Sequence, residues 1–444
     1  MKDTNYTLYA DPLFHFETGQ DRSASRRVYT NTRGVQVGGT LGNNVAFYSS
    51  FYESQGTFVD YMDQYIQQSR VVPGQGEPKT FKGNRSEYDY NMAEAYVNYK
   101  AKQFFNFTLG YGKNFIGNGY RSLLLSDNTF NYPYFKITTD VWRIRYTNIY
   151  TQFQDIYNHT ANTVQGKGYP KKYGSFHYLS LNVSKSLNIG LFESVIWQGS
   201  DSSHYRTYDF TYLNPVIFYR SAEYGMGSPD NSLIGLNLLY KVTNTWSFYG
   251  QFILDDFKFA EYKKGNEKYR QKYGFQFGTK VYDLFAIKNL HFLAEYNYVM
   301  PFTYSHRWPR QNYSHYNQAL AHPLGANFKE WVGIINYRIG RLVTEFKYIN
   351  ANYGENSATV NYGRDIFIPE HVNFQYSRHA GQGIPVNLNF AQVKLGYIIN
   401  PATNMKVELT YLHRMLNQQG MSKHLTQYIG LAFKTDLRNF YNDF

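Results

Sequence analysis

The chain has 444 residues, a formal charge of +12, no Cys, 46 Tyr and 34 Phe, with aromatics at 19% and charged residues at only 18%. This aromatic content excludes a disordered chain, and the missing Cys excludes disulfide scaffolds and thiolate chemistry. No run of 18 or more mostly apolar residues offers a membrane-crossing helix, so weak hydrophobicity with heavy Tyr and Phe points to a transmembrane β-barrel.

The opening stretch Met1-Lys2-Asp3-Thr4-Asn5-Tyr6 has no apolar h-region. An outer-membrane protein in this numbering is therefore expected to be a mature or trimmed form. From there, apolar and polar residues alternate with period two, which puts successive side chains on opposite faces of a sheet. The pattern predicts 18 strands, over 6–17, 28–40, 43–53, 91–100, 104–113, 133–139, 141–152, 174–184, 188–198, 231–241, 245–255, 271–281, 288–300, 328–339, 341–352, 388–399, 403–414 and 426–437. Trp142, Ile144 and Tyr146 oppose Arg143, Arg145 and Thr147 in one of them. In two later strands Ala391, Val393 and Leu395 oppose Gln392 and Lys394, and Val407 and Leu409 oppose Lys406, Glu408 and Thr410.

A sandwich would alternate in the same way, so the joins decide. Short ones such as 101–103, 185–187, 242–244 and 400–402 take turns with long ones over roughly 54–90, 114–132, 153–173, 199–230, 301–327 and 353–387. Tight turns alternating with long loops are the outer-membrane pattern of periplasmic turns and extracellular loops. The expected fold is all-β: one antiparallel up-and-down barrel of about 18 strands over 1–444, with both ends periplasmic. Closure pairs every backbone group, which is what hydrocarbon demands. Tyr and Phe at strand ends would form interfacial girdles, and the aromatic Phe444 is similar to a barrel-assembly signal.

One stretch stands out: Gly110-Tyr111-Gly112-Lys113-Asn114-Phe115-Ile116-Gly117-Asn118-Gly119-Tyr120-Arg121-Ser122-Leu123-Leu124-Leu125-Ser126-Asp127-Asn128, then Asn131-Tyr132-Pro133-Tyr134. Its glycines suggest a phosphate loop, but no Gly-Lys-Ser/Thr opens a helix after them. The plainer expectation is a compact loop with Leu123–Leu125 buried against the wall or in the lumen. This stretch, with Gly117, Gly119, Tyr120, Arg121 and Asp127, resembles the Wzi-type capsule-assembly barrels, especially a Bacteroidota branch grouped with the gliding-motility protein RemB. So does Tyr212-Leu213-Asn214-Pro215-Val216-Ile217-Phe218-Tyr219-Arg220, with Asn214 and Pro215 at its centre. The resemblance implies an 18-stranded outer-membrane barrel that binds surface polysaccharide and assists its assembly or, in the gliding branch, supports motility.

The loops suggest where a ligand would sit. Residues 301–327 carry Arg307, Arg310, His306, His315 and His322 without one Asp or Glu, interleaved with Tyr304, Trp308, Tyr313 and Tyr316. Rings stack on sugar faces and cations pair with acidic glycan groups. The alternative is a rim held in lipopolysaccharide or folded inward as a plug. Lys263 and Lys264, in a basic run near 257–272, would raise the local concentration of polyanions. Arg143, Arg145, Glu295, Glu345, Lys347, Lys394, Lys406 and Glu408 are expected to face the lumen. They would form either a selectivity ring or cross-strand ion pairs that brace it.

No Gly-x-Ser-x-Gly elbow and no His-Glu-x-x-His pair is present, and no nucleic-acid fold is visible. The expectation is a non-enzymatic barrel without metal or cofactor. Its partners would be outer-membrane lipid, lipopolysaccharide and acidic surface polysaccharide. The alternatives are a solute channel and a subunit of a motility or secretion machine.

Overall fold

A computed structural model of the chain describes residues 5–81, 84–157, 168–199, 210–218, 230–256, 271–369, 373, 379–435 and 440–444. Eighteen strands form one closed wall. They are β1 Tyr6–Asp21, β2 Arg26–Leu41, β3 Val45–Thr57, β4 Asn84–Ala101, β5 Phe105–Gly112, β6 Tyr132–Val141, β7 Ile144–Gln154, β8 Lys171–Asn182 and β9 Leu187–Gln198. The second half comprises β10 Asn231–Lys241, β11 Trp246–Asp256, β12 Lys272–Val281, β13 Leu290–Val299, β14 Phe328–Ile339, β15 Leu342–Glu355, β16 Ile384–Asn400, β17 Met405–Gln418 and β18 His424–Lys434. Each pairs antiparallel with its chain neighbours, and β18 closes on β1 from His15–Lys434 to Asp21–Tyr428.

At one end the joins are tight: 42–44, 102–104, 142–143, 183–186, 242–245, 282–289, 340–341 and 401–404. At the other they cover 58–83, 113–131, 155–170, 199–230, 257–271, 300–327 and 356–383, with only 22–25 and 419–423 short. We call these the turn end and the loop end; in an outer-membrane barrel they face periplasm and exterior.

The alternation of each strand sets which side chains face in and out. Val393, Leu395, Val407, Leu409, Ile429 and Leu431 point out, while Lys394, Lys406, Glu408 and Lys434 line a common interior cavity. Arg143 is a correction. Trp142 and Arg143 form the turn between β6 and β7, with Trp142 at φ 54°. The Arg143 guanidinium reaches the Val183 carbonyl of the next turn, outside the strand pattern.

The expected long join 54–90 is also different in kind. It holds a helix, α1 Asp60–Ser69, and β4 begins well before residue 91. Asp60 and Asp63 sit in the first turn, where carboxylates favour the helix dipole. Arg70 ends the helix in the left-handed region at φ 64°. Tyr61, Met62 and Ile66 are buried inside the barrel. Tyr61 and Met62 meet Val332, Ile334, Ile349, Phe390, Leu412 and Tyr428 of the wall.

Candidate functional site

The lumen is filled from the loop end. Residues 113–131 and 300–327 fold inward, and Ile116, Leu123, Leu124, Leu125, Tyr304, Tyr313, Leu320 and Leu324 join Phe153, Phe176, Phe192, Ile253, Phe328 and Leu388 of the wall in one core. Inward loops stay folded only if their polar backbone is met. Tyr304 and Tyr313 donate their hydroxyls to the Leu123 and Leu124 carbonyls at 2.8 and 2.5 Å. Gln251 of β11 accepts from the Leu123 amide at 2.8 Å and donates to the Ile116 carbonyl at 3.1 Å. Lys172 of β8 gives three bonds, to the Asn312 carbonyl, Asn312 Oδ1 and Ser314 Oγ, at 2.8 to 3.0 Å.

The glycine-rich stretch wraps a carboxyl group, that of the protein's own Glu295. Amides of Tyr120 and Arg121 donate to the Glu295 carboxylate at 2.8 and 3.1 Å. A Cβ on Gly119 would stand 2.2 Å from Glu295 Oε2, so a side chain there would displace the Glu295 carboxyl from the two amides. The Arg121 side chain is fully buried between Glu330 Oε1 at 3.1 Å and Asp443 Oδ1 at 2.9 Å. Burial alone would discourage its charge, yet Asp443 and Glu330 reverse the balance and hold it firmly protonated. Asp443 also takes Lys347 at 3.0 Å and the Tyr120 hydroxyl. Burial would raise its carboxyl, but Arg121 and Lys347 keep it below the usual range.

Residues 440–444 therefore lie within the lumen. Tyr441 donates to Asp127 Oδ1 at 2.8 Å, and the Tyr61 hydroxyl reaches the Asn442 carbonyl. Phe444 packs on Tyr65 of α1.

Two loop histidines are held neutral by burial. His315 accepts the Gln154 amide on Nδ1 and donates from Nε2 to the Asn131 carbonyl. His322 accepts the Leu324 amide on Nδ1 and donates from Nε2 to Glu330 at 2.7 Å. Burial pushes His315 down to about 3 and lowers His322 in spite of Glu330. Among the described residues no His, Asp and Glu cluster has metal-holding geometry.

The expected ligand residues part company. Tyr304 and Tyr313 are wholly enclosed in the plug, which puts them out of a ligand's reach in this arrangement. Arg307 and Trp308 stand on the loop face, the guanidinium 5.9 Å from the indole centroid and Trp308 50% exposed. Arg310 and Tyr316 are half-buried, Tyr316 between Phe130 and Tyr169. Lys263 and Lys264 lie outside the described residues.

Several charges of the lumen-facing set form ion pairs. Lys394 meets Glu345 at 2.9 Å, and Lys406 and Lys434 share Glu408 at 3.6 and 2.5 Å. These groups, with His15 and Glu17, line a cavity of about 520 Å³ below α1. Arg145 pairs with Asp140 at 2.6 Å near the turn end. Asn214 and Pro215 lie outside, on the outer wall. There Tyr150 donates to the Leu213 carbonyl at 3.0 Å, Tyr146 bonds to the Pro215 carbonyl, and Glu193 accepts the Phe218 amide at 2.7 Å.

Sequence reasoning missed Glu330, Lys172, Gln251 and Asp443. Gln251 and Glu330 were visible as polar residues on inward positions of expected strands, whereas Lys172 fell in the expected join 153–173. Asp443 carried no such signal.

A closed antiparallel wall of 18 strands, with its described inward loops packed against it, defines an outer-membrane β-barrel. The chain belongs to the capsule assembly protein Wzi family, whose model matches residues 17–418. Among solved structures it is similar to Wzi of Escherichia coli, described as an outer-membrane protein involved in group 1 capsule assembly and a carbohydrate-binding β-barrel. That match has a TM-score of 0.58 at 14% identity and covers 96% of this chain and 85% of that one. It is also similar in fold to Pseudomonas aeruginosa OpdK, solved with vanillate, with a TM-score of 0.51 at 9% identity, covering 96% and 98%. Comparison with curated proteins by sequence gives no significant match.

Proposed function

We propose that this barrel binds an acidic surface polysaccharide at its loop face and assists capsule or surface-glycan assembly without catalysing a reaction. Family membership over 17–418 carries the reading, together with the carbohydrate binding described for the Escherichia coli protein. The filled lumen supports it against the channel reading, because the core of Leu124, Tyr304 and Phe328 stands where a permeation path would run. The exposed Arg307 and Trp308, with Arg310 and Tyr316 beside them, are the candidate contacts, and Lys263 and Lys264 add positive charge in sequence.

Pull-down of purified protein with the surface polysaccharide of its own organism tests this. Binding should fall about tenfold in R307A/W308A/R310A, the loss of roughly 1.4 kcal/mol. No binding by the unmodified protein sinks the proposal. The likeness of 110–135 to the gliding branch motivates a second role, as a subunit of a motility machine. A stoichiometric partner on native co-purification in mild detergent would favour it.

A further inference from the structure

The outward face of β13 to β17 changes character at one level. Across the middle run Phe292, Ile335, Phe346, Val393 and Tyr411, an apolar row suited to acyl chains. Two rows nearer the loop end come Tyr296, Trp331, Asn350, Asn389 and Met415, and beyond them Tyr298, Lys329, Asn352, Asn387 and Asn417. Asparagine is depleted in strands, yet four meet here on two adjacent strands.

They form a closed ring of amides. Asn350 Nδ2 donates to Asn389 at 2.9 Å, Asn389 to Asn387 at 2.6 Å, Asn387 to Asn352 at 2.8 Å, and Asn352 back to Asn350 at 3.1 Å. The Tyr348 hydroxyl, one row below, donates to Asn389 Oδ1 at 3.0 Å and ties the ring to the aromatic level. Each amide has two N–H donors and a two-lone-pair oxygen, so the ring leaves donor capacity in fixed directions. Beside it opens a cavity of about 580 Å³, lined by Lys329, Asn352, Asn387, Asn417, His379 and Gln419 among others, with no Asp or Glu among its described lining residues. Trp331, 58% exposed, flanks the ring on β14.

We propose that this patch binds the phosphorylated saccharide headgroup of an outer-leaflet glycolipid. Acyl chains would lie on Ile335, Phe346 and Val393, which puts the headgroup level with the ring. Sugar hydroxyls are donors and acceptors at once and match amides already oriented by their neighbours, so little ordering cost is added on binding. Lys329 supplies the point charge for a phosphate, and the Trp331 face can stack on a sugar ring. A merely solvated strand extension needs polar side chains but neither the closed ring nor the acid-free cavity. The site is on the wall, apart from Arg307 and Trp308, so it stands or falls independently of the loop-face reading.

Native mass spectrometry of the detergent-purified full chain, incubated with rough lipopolysaccharide (lipid A plus inner core), tests it. The unmodified protein should retain the lipid, and K329A and N350A/N352A/N387A/N389A should each lower the bound fraction about tenfold. The isosteric N352D/N387D, which sets negative charge against phosphate without removing volume, should weaken binding of phosphorylated lipid and spare dephosphorylated lipid. Undiminished retention by N352D/N387D and K329A, both with unchanged thermal stability, overturns the proposal. So does loss, in the same variants, of binding to lipid-free capsular polysaccharide, which would make the patch part of the polysaccharide site.

Discussion

The two halves of the lumen share one wall and differ in what fills them. Along β16 the inward residues run Val386, Leu388, Phe390 at the loop end, then Gln392 and Lys394 toward the turn end. The first three are buried in apolar clusters with the plug and α1. The last two line the cavity with Glu345, Lys406, Glu408 and Lys434. One strand thus changes from core to wet vestibule without breaking its alternation, so period two fixes facing while composition along the face fixes whether that half is sealed. Charge reverses in energetic meaning across the boundary. Arg121, Glu330 and Asp443 are dry and interdependent, whereas Lys394 and Glu345 keep access to water.

The largest break should come from the dry half. Arg121→Ala leaves Glu330 with the His322 bond and Asp443 with the Lys347 pair, and removing one partner of a buried pair costs about 3–5 kcal/mol. We expect a plug that opens: planar-bilayer recordings silent for the unmodified protein should show steady conductance, with a lower melting temperature. Continued silence at unchanged stability would mean the ion network does not hold the plug.

Substitutions to Arg then map the boundary. At Leu409, on the lipid face, Arg should cost about 2–4 kcal/mol near the midplane and impair assembly, read as loss of the heat-modifiable folded band. Leu388→Arg, inward but in the sealed half, should fail as badly because a buried unpaired charge has no water to reach. Thr410→Arg, inward and on the vestibule, should assemble nearly normally. Equal behaviour of the three, or a cysteine at 407 that proves water-accessible, would refute the facing assigned to β16 and β17.

Acid should loosen the sealed half next. His315 and His322 are neutral in the fold, with His315 pushed down to about 3 from an ordinary 6.5. A depressed folded value means stability is intact above the unfolded value and is lost as pH falls below it. Between pH 6.5 and 3 the plug should therefore weaken by about 1.4 kcal/mol per unit at His315, with His322 acting in the same direction. Reversible conductance at pH 4 that is absent at pH 7.5 is the expected record, and His315→Gln should blunt the acid response. A barrel equally silent at pH 4 would contradict the role given to these histidines.

The wall was legible in the sequence because alternation is local. Val407-Glu408-Leu409-Thr410 states its two faces without reference to any other segment. The filling was not legible in the same way. Arg121 meets Glu330 across 209 residues of chain and Glu295 across 174, and no local pattern encodes such a partnership. Tyr304 and Tyr313 sit in a loop whose composition suits a rim as well as a plug, and only their bonds to Leu123 and Leu124 decide between them. Helix α1 did leave a trace. Tyr61, Met62, Tyr65 and Ile66 repeat at helical spacing behind Asp60 and Asp63, inside a segment read as loop because strands flank it.

The smallest effect belongs to the wet half. Glu345 and Lys394 are direct cross-strand partners at 2.9 Å, with side chains 29% and 25% exposed and the cavity beside them. Water screens both ions and either can be solvated alone, so Lys394→Ala should cost no more than about 1 kcal/mol. The coupling from a cycle of Glu345→Ala, Lys394→Ala and the double variant should fall within about 0.2–1 kcal/mol. It should fade in 1 M salt, where the screening length is about 3 Å. The same cycle at Arg121 and Glu330, enclosed with no solvent between them, should be larger and nearly independent of salt. A salt-resistant coupling above about 2 kcal/mol at Glu345–Lys394 would show that the vestibule is dry, and the contrast between the two halves would vanish.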